Sequence, residues 1–224
     1  MPRLFFKGGI MLRPDINLGG ISSYTEERIF SKTDNAFGYS GIWLFTGSQG
    51  SGKTLLLMET LKKMHEEYPD ALIISNISVF GIPCIPYTGI SDFGKYKNGE
   101  KGVIFVIDEI HTLFSSLESA QMPVSTLTVW SQNRKNRRVI LGTSQRFTRV
   151  AKGIREQTTY NYECRKGFLC FHAYRIREGD DYDENGKYIG EDERYNYYVP
   201  RVSTMRMYNT LEVVNANKGE KNDD

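Results

Sequence analysis

The chain has 224 residues, of which 39% are hydrophobic and 25% charged, a composition that excludes wholesale disorder and suits a soluble packed domain. Lys and Arg total 29 against 27 Asp and Glu, for a net charge of +2, so bulk charge gives no argument for nucleic acid. The longest apolar runs, such as Val103 to Ile107, fall far short of the roughly 18 to 20 residues of a spanning helix, and the apolar stretch at the start is too short for a signal peptide.

Residues 1 to 40 carry Gly8, Gly9, Gly19, Gly20 and Pro14 without a sustained period. They read as an arm or peripheral segment with a short helix near Tyr24 to Phe30. Gly41 to Thr46 (GIWLFT) is a short run of strand formers ended by glycines. Thr54 to Tyr68 predicts a helix, with Leu57, Met58, Leu61 and Met64 at three- and four-residue spacing and Pro69 as its stop. Ala71 to Val79 predicts a second strand, followed by a loop with Pro83, Pro86, Gly89 and Gly94. Val103 to Asp108 is a fully apolar strand of the kind found inside a parallel sheet. His111 to Glu118 and Ser125 to Asn133 predict helices, Arg138 to Thr143 a fourth strand, and Arg146 to Glu156 a short helix or ordered turn.

Beyond that, Tyr160 to Arg165, Phe168 to Arg177 and Tyr195 to Arg201 are aromatic-rich and predict an antiparallel hairpin layer, with turns at Lys166-Gly167 and Asn185-Gly186. The alternation of strands and helices implies an α/β fold with a mainly parallel central sheet flanked by helices. The expected organisation is an arm over 1–40, a core over 41–160, a β-hairpin extension of the same domain over 161–210, and a polar tail over 211–224. Cys84, Cys164 and Cys170 form no CxxC pair and read as reduced thiols. Charge is segregated: eight basic and no acidic residues lie from Arg134 to Arg155, and eight acidic against two basic from Glu178 to Arg194. The latter stretch imitates the start of a calcium loop at Asp181, but Asn185-Gly186 between β-like segments is a hairpin signal.

The chemistry is concentrated in Gly47-Ser48-Gln49-Gly50-Ser51-Gly52-Lys53-Thr54, which matches G-x-x-x-x-G-K-[ST] in full, after an apolar strand and before an amphipathic helix. Glycines let consecutive backbone N–H groups turn inward around phosphate oxygens. The helix N-terminus adds partial positive charge. Lys53 would reach the β and γ phosphates of ATP, and the Thr54 hydroxyl would ligate Mg²⁺. Val103 to Glu109 supplies the acids: Asp108 for Mg²⁺ through water, Glu109 as general base for the attacking water. Ile140 to Gln145 ends the neighbouring strand in polar residues, and Gln145 is assigned as γ-phosphate sensor, with Thr143 and Ser144 as competitors.

With these three elements in this order, the chain resembles the FtsK–HerA superfamily of P-loop ATPases. Within it, it is most similar to the zonular occludens toxin-like ATPases of filamentous phages and the packaging ATPases of membrane-containing viruses. The residues that carry this are GSQGSGKT (47–54), VIFVIDE (103–109) and WSQNRKNRRVILGTSQ (130–145), within about residues 41–160. The resemblance implies an ATP hydrolase working as a homo-oligomeric ring, commonly a hexamer, with an arginine given to the neighbour's γ-phosphate. Arg146, Arg149 and Arg155 follow the sensor strand, and Arg149 and Arg155 are favoured.

The first expectation is therefore a Mg²⁺-dependent motor that translocates DNA, as in viral genome packaging, in the host cytoplasm or with the virion and with no transmembrane segment of its own. Phage assembly or extrusion at a membrane is the alternative, and a nucleotide-gated scaffold is a third. Capsid or membrane-protein partners follow from the first two. The cluster Asn133 to Arg138 suits either DNA phosphates or a solvated helix end.

Overall fold

The computed structural model describes residues 36–113, 132–167, 172–191 and 195–209. The helix expected near Tyr24 to Phe30, most of the two expected over 111–133, Cys170 and the tail lie outside these residues.

The order in the chain is β1 (Gly41–Thr46), α1 (Lys53–Glu67), β2 (Leu72–Ser75), β3 (Ile85–Pro86), α2 (Asp92–Lys95), β4 (Val103–Ile107), β5 (Arg138–Ser144), α3 (Lys152–Arg155), β6 (Thr158–Lys166), β7 (His172–Glu178), β8 (Asn196–Tyr198) and α4 (Val202–Met205). The strands form one sheet in the order β3-β2-β4-β5-β1-β6-β7-β8. All neighbours from β3 to β6 are parallel, and β7 and β8 are antiparallel. The chain therefore has the P-loop NTPase fold, with a mainly parallel sheet and helices against it. The first strand of the expected hairpin layer is itself a parallel member of the main sheet, since β6 pairs with β1.

The apolar runs are continuous because the central strands are covered on both faces. On one face Trp43, Phe45, Ile104, Val106, Val139 and Leu141 pack with Leu56, Leu57, Leu61 and Met64 of α1. On the other, Ile42, Leu44, Phe105, Ile107 and Ile140 pack with Phe147, Val150 and Ile154. Each fully buried Leu or Ile side chain contributes about 1.5–3 kcal/mol by leaving water. That layering fixes β1, β4 and β5 side by side and so places their C-terminal ends along one edge.

Several boundaries differ from the sequence expectation for local reasons. β2 ends at Ser75 because its hydroxyl donates to the Ile77 carbonyl (2.7 Å) and accepts from the Ile77 N–H (3.2 Å), turning the chain out of the sheet. The two-residue edge strand β3 lies in the stretch expected as loop, where Pro86 is tolerated because an edge strand leaves one side unpaired. Among the described residues, Ile110–Thr112 forms a 3₁₀ turn where the helix over 111–118 was expected to begin. Residues 146–156 resolve into the 3₁₀ turn Phe147–Arg149 and α3. Asn185-Gly186 does form a tight turn, with Gly186 at φ 78 and a bridge between Tyr182 and Tyr188.

On the face away from α1, Glu163 of β6 meets Arg175 Nε at 2.8 Å, Arg177 Nη2 at 3.1 Å and Arg165 Nη2 at 3.4 Å. Burial pushes its carboxyl up, but the hydrogen bond from Arg175 and the charges of Arg177 and Arg165 outweigh that and hold it below the ordinary range. A carboxylate depressed in this way adds stability above its unfolded value, near 4.3, and loses it as pH falls through the folded one. Glu163→Gln is expected to lower stability by about 1–3 kcal/mol at neutral pH. The gap from wild type should close on acidification; a gap in Tm independent of pH would exclude this role.

Candidate functional site

The loop from Gly47 to Gly52 joins β1 to α1 at the C-terminal edge of the sheet. Gly47 (φ 149) and Gly52 (φ 88) occupy backbone conformations that favour glycine. Space forbids a side chain as well: a Cβ would lie 2.3 Å from the Cys164 carbonyl oxygen at Gly47 and 2.5 Å from His172 Nδ1 at Gly52. The β6–β7 hairpin thus backs the loop. Burial pushes the Cys164 thiol up to about 12, so it is an inert wall. Burial lowers the His172 value, an effect that the nearby Ser51 backbone opposes.

Lys53 is buried at 8% exposure, and its Nζ donates to the Ser48 carbonyl at 3.1 Å. Ser48, Gln49 and Gly50 form the exposed rim of the loop. Gly52 leaves the start of α1 with no side-chain cap, so the first-turn N–H groups are free to meet an anion.

The acids stand beside the loop. Thr54 Oγ1 donates to Asp108 Oδ1 at 3.1 Å. Thr143, on β5, donates to the same oxygen at 2.7 Å and accepts from the Glu109 N–H at 2.8 Å. Asn76, just past β2, brackets the Asp108 backbone: Nδ2 donates to its carbonyl (3.0 Å) and Oδ1 accepts from its N–H (2.8 Å). Glu109 lies in the left-handed region (φ 52, ψ 49). A non-glycine residue there costs about 1–3 kcal/mol and persists only where its surroundings impose it, here through Thr143. Glu109 Oε2 is 3.1 Å from His111 Nδ1, yet it is buried with no well-formed hydrogen bond among the described residues.

The remaining candidates divide. Gln145 is at the tip of β5, where its Oε1 accepts from Arg149 Nη1 at 2.8 Å; of the three polar residues that end this strand, Thr143 is the one bonded to the acids. Arg146 and Arg149 are exposed. Arg155 packs under the Asn185-Gly186 turn, where a Cβ on Gly186 would sit 2.0 Å from its Nη1. In the basic cluster, Arg138 is buried over the Phe105 ring and Arg137 donates to the Phe37 carbonyl, which leaves Arg134 and Lys135 exposed. Asn76 escaped the sequence reading, which placed it inside the strand expected over Ala71 to Val79.

This donor set fits a magnesium triphosphate. The glycine loop and uncapped helix start suit phosphate oxygens, Lys53 supplies the cation, and a hydroxyl paired with a carboxylate suits a hard divalent ion. Among the described residues no helix is long and apolar enough to cross a membrane.

Comparison with known proteins agrees with this geometry. No curated protein matches the chain. Among solved structures it is similar to the N-terminal domain of zonular occludens toxin from Neisseria meningitidis (TM-score 0.58, 16% identity, covering 76% of this chain and 99% of that one). It is similar also to the genome packaging NTPase B204 from Sulfolobus turreted icosahedral virus 2 in complex with ATP-gammaS (TM-score 0.50, 11% identity, 72% and 98% covered). At these identities the likeness is one of fold. The family model for the ATPase family associated with various cellular activities (AAA) matches residues 43–165, more than half of the chain, and that span holds the glycine loop, both acids and the strand between them. The chain belongs to this family and is a P-loop ATPase.

Proposed function

We propose that this ATPase is a Mg²⁺-dependent motor that moves DNA, in the manner of a viral genome-packaging enzyme, as a ring of identical copies, with six favoured. The single observation that carries turnover is the insertion of β5 between β1 and β4, with Thr143 tying Asp108 and Glu109 to one hydroxyl beside the glycine loop. Gly47 to Thr54 would hold the triphosphate, and Thr54 with Asp108 would hold Mg²⁺. The bound ion would offset charge on the phosphate oxygens.

In this reading Lys53 binds and orients the phosphates, Glu109 accepts the proton of the attacking water, and Asn76 and Thr143 keep the acids in place. Gln145 orients the water or the terminal phosphate, and its bond to Arg149 places that arginine at the rim, where a neighbouring copy would meet it. Fold likeness to the packaging NTPase B204 supports DNA as cargo. Likeness to the zonular occludens toxin domain, the higher of the two TM-scores, favours a second reading in which the same ATPase drives filamentous phage assembly at a membrane with a membrane-protein partner.

The test is ATP turnover with and without double-stranded DNA across a salt series. Stimulation that fades as salt rises supports DNA translocation, because phosphate contacts release counterions. No stimulation at any salt concentration overturns it and leaves the second reading. Electron microscopy with a non-hydrolysable analogue should show closed rings.

A further inference from the structure

Ser144 closes β5 and is fully buried. Its hydroxyl donates to the Arg146 carbonyl at 3.0 Å, and His111 Nδ1 lies 3.3 Å from the same oxygen. With the serine hydrogen committed to Arg146, the contact from His111 requires the hydrogen on Nδ1. That nitrogen also lies 3.1 Å from Glu109 Oε2. A chain of close contacts therefore runs from Glu109 Oε2, which approaches Nδ1 without a well-formed hydrogen bond, through His111 and Ser144 to the backbone at Arg146, where the turn carrying Arg149 begins.

The main chain of Glu109 is already fixed by its left-handed conformation and by Thr143. Its side-chain torsions are not, and a general base misplaced by about 1 Å costs up to about 10²-fold in rate. The geometry points to His111 as a positioning residue for the reaction, one that sets the aim of the Glu109 carboxylate and links it through Ser144 to the Arg146–Arg149 turn. This rests on the reading of Glu109 as general base. It makes the base responsive to the segment proposed to face a neighbouring copy. A side chain acting only as filler at position 111 would need neither the Nδ1 hydrogen nor the serine.

The experiment compares wild type, His111→Ala, His111→Asn and Ser144→Ala in steady-state ATP turnover, nucleotide titration and thermal melting. His111→Ala and Ser144→Ala are expected to lower kcat about tenfold or more, with KM and nucleotide affinity within about twofold of wild type. His111→Asn, which keeps an N–H donor near the place of Nδ1, should recover most of kcat. The double variant should be no slower than the worse single one, since both act along one path.

Wild-type kcat in His111→Ala overturns the proposal, as does His111→Asn as slow as His111→Ala, or additive losses in the double variant. A parallel loss of Tm and nucleotide affinity would mark a merely structural residue and overturn it too. A wild-type protein that binds nucleotide but does not turn over removes Glu109 as base, and the proposal falls with that reading. Measurable wild-type turnover beside unaffected variants removes the proposal alone.

Discussion

Glu109→Gln is expected to lower kcat by about 10²–10⁴-fold, the usual contribution of a positioned general base, while nucleotide still binds. The amide is nearly isosteric and keeps the backbone contact to Thr143, but it cannot take a proton. Lys53→Ala should remove both binding and turnover, because the buried ammonium is the cation of the loop itself. The two variants thus separate holding from hydrolysing. Nucleotide titration beside phosphate release checks them; turnover retained in Glu109→Gln would exclude the assignment, as would full affinity in Lys53→Ala.

Arg149→Ala carries the second large effect, a fall in kcat of about 10³-fold or more if its guanidinium reaches a neighbour's γ-phosphate. The side chain is exposed and tethered to Gln145 at the tip of β5. That tether holds it at the rim of its own site and leaves it able to swing across an interface. Arg155, lodged under the Gly186 turn, lacks that freedom. The decisive measurement is mixing: Arg149→Ala and Glu109→Gln, each inactive alone, should regain activity together, because mixed interfaces pair an intact Arg149 with an intact Glu109. Mixtures as inactive as their components would rule out action in trans.

How much of this the residues disclosed in advance follows from how local each feature is. β1, β4 and α1 are written in apolar runs and periodic leucines, so their bounds were readable to within a residue or two. The glycine loop and the two acids were readable because each is a contiguous motif. β3 was not, because two residues containing a proline carry no strand signal and it is their pairing with Ile74 and Ser75 of β2 that defines them. The grip of Asn76 on Asp108 spans 32 residues, and no local pattern encodes such a pairing. Gln145 reads from the sequence as the polar tip of its strand; the contacts of Thr143, two residues earlier, with Asp108 and Glu109 depend on strand pairing and are not legible there. The parallel pairing of β6 with β1 was hidden too, since its sequence reads equally well as the arm of a hairpin.

The two margins of the sheet are the two-residue β3 and the three-residue β8. Margins so short offer little unpaired main chain for another polypeptide to align with. In the proposed ring of identical copies, the described edges would favour recognition by side chains on loops and helices over strand pairing. Seams of that kind would be able to loosen and re-form in each catalytic cycle without unravelling the subunits they join.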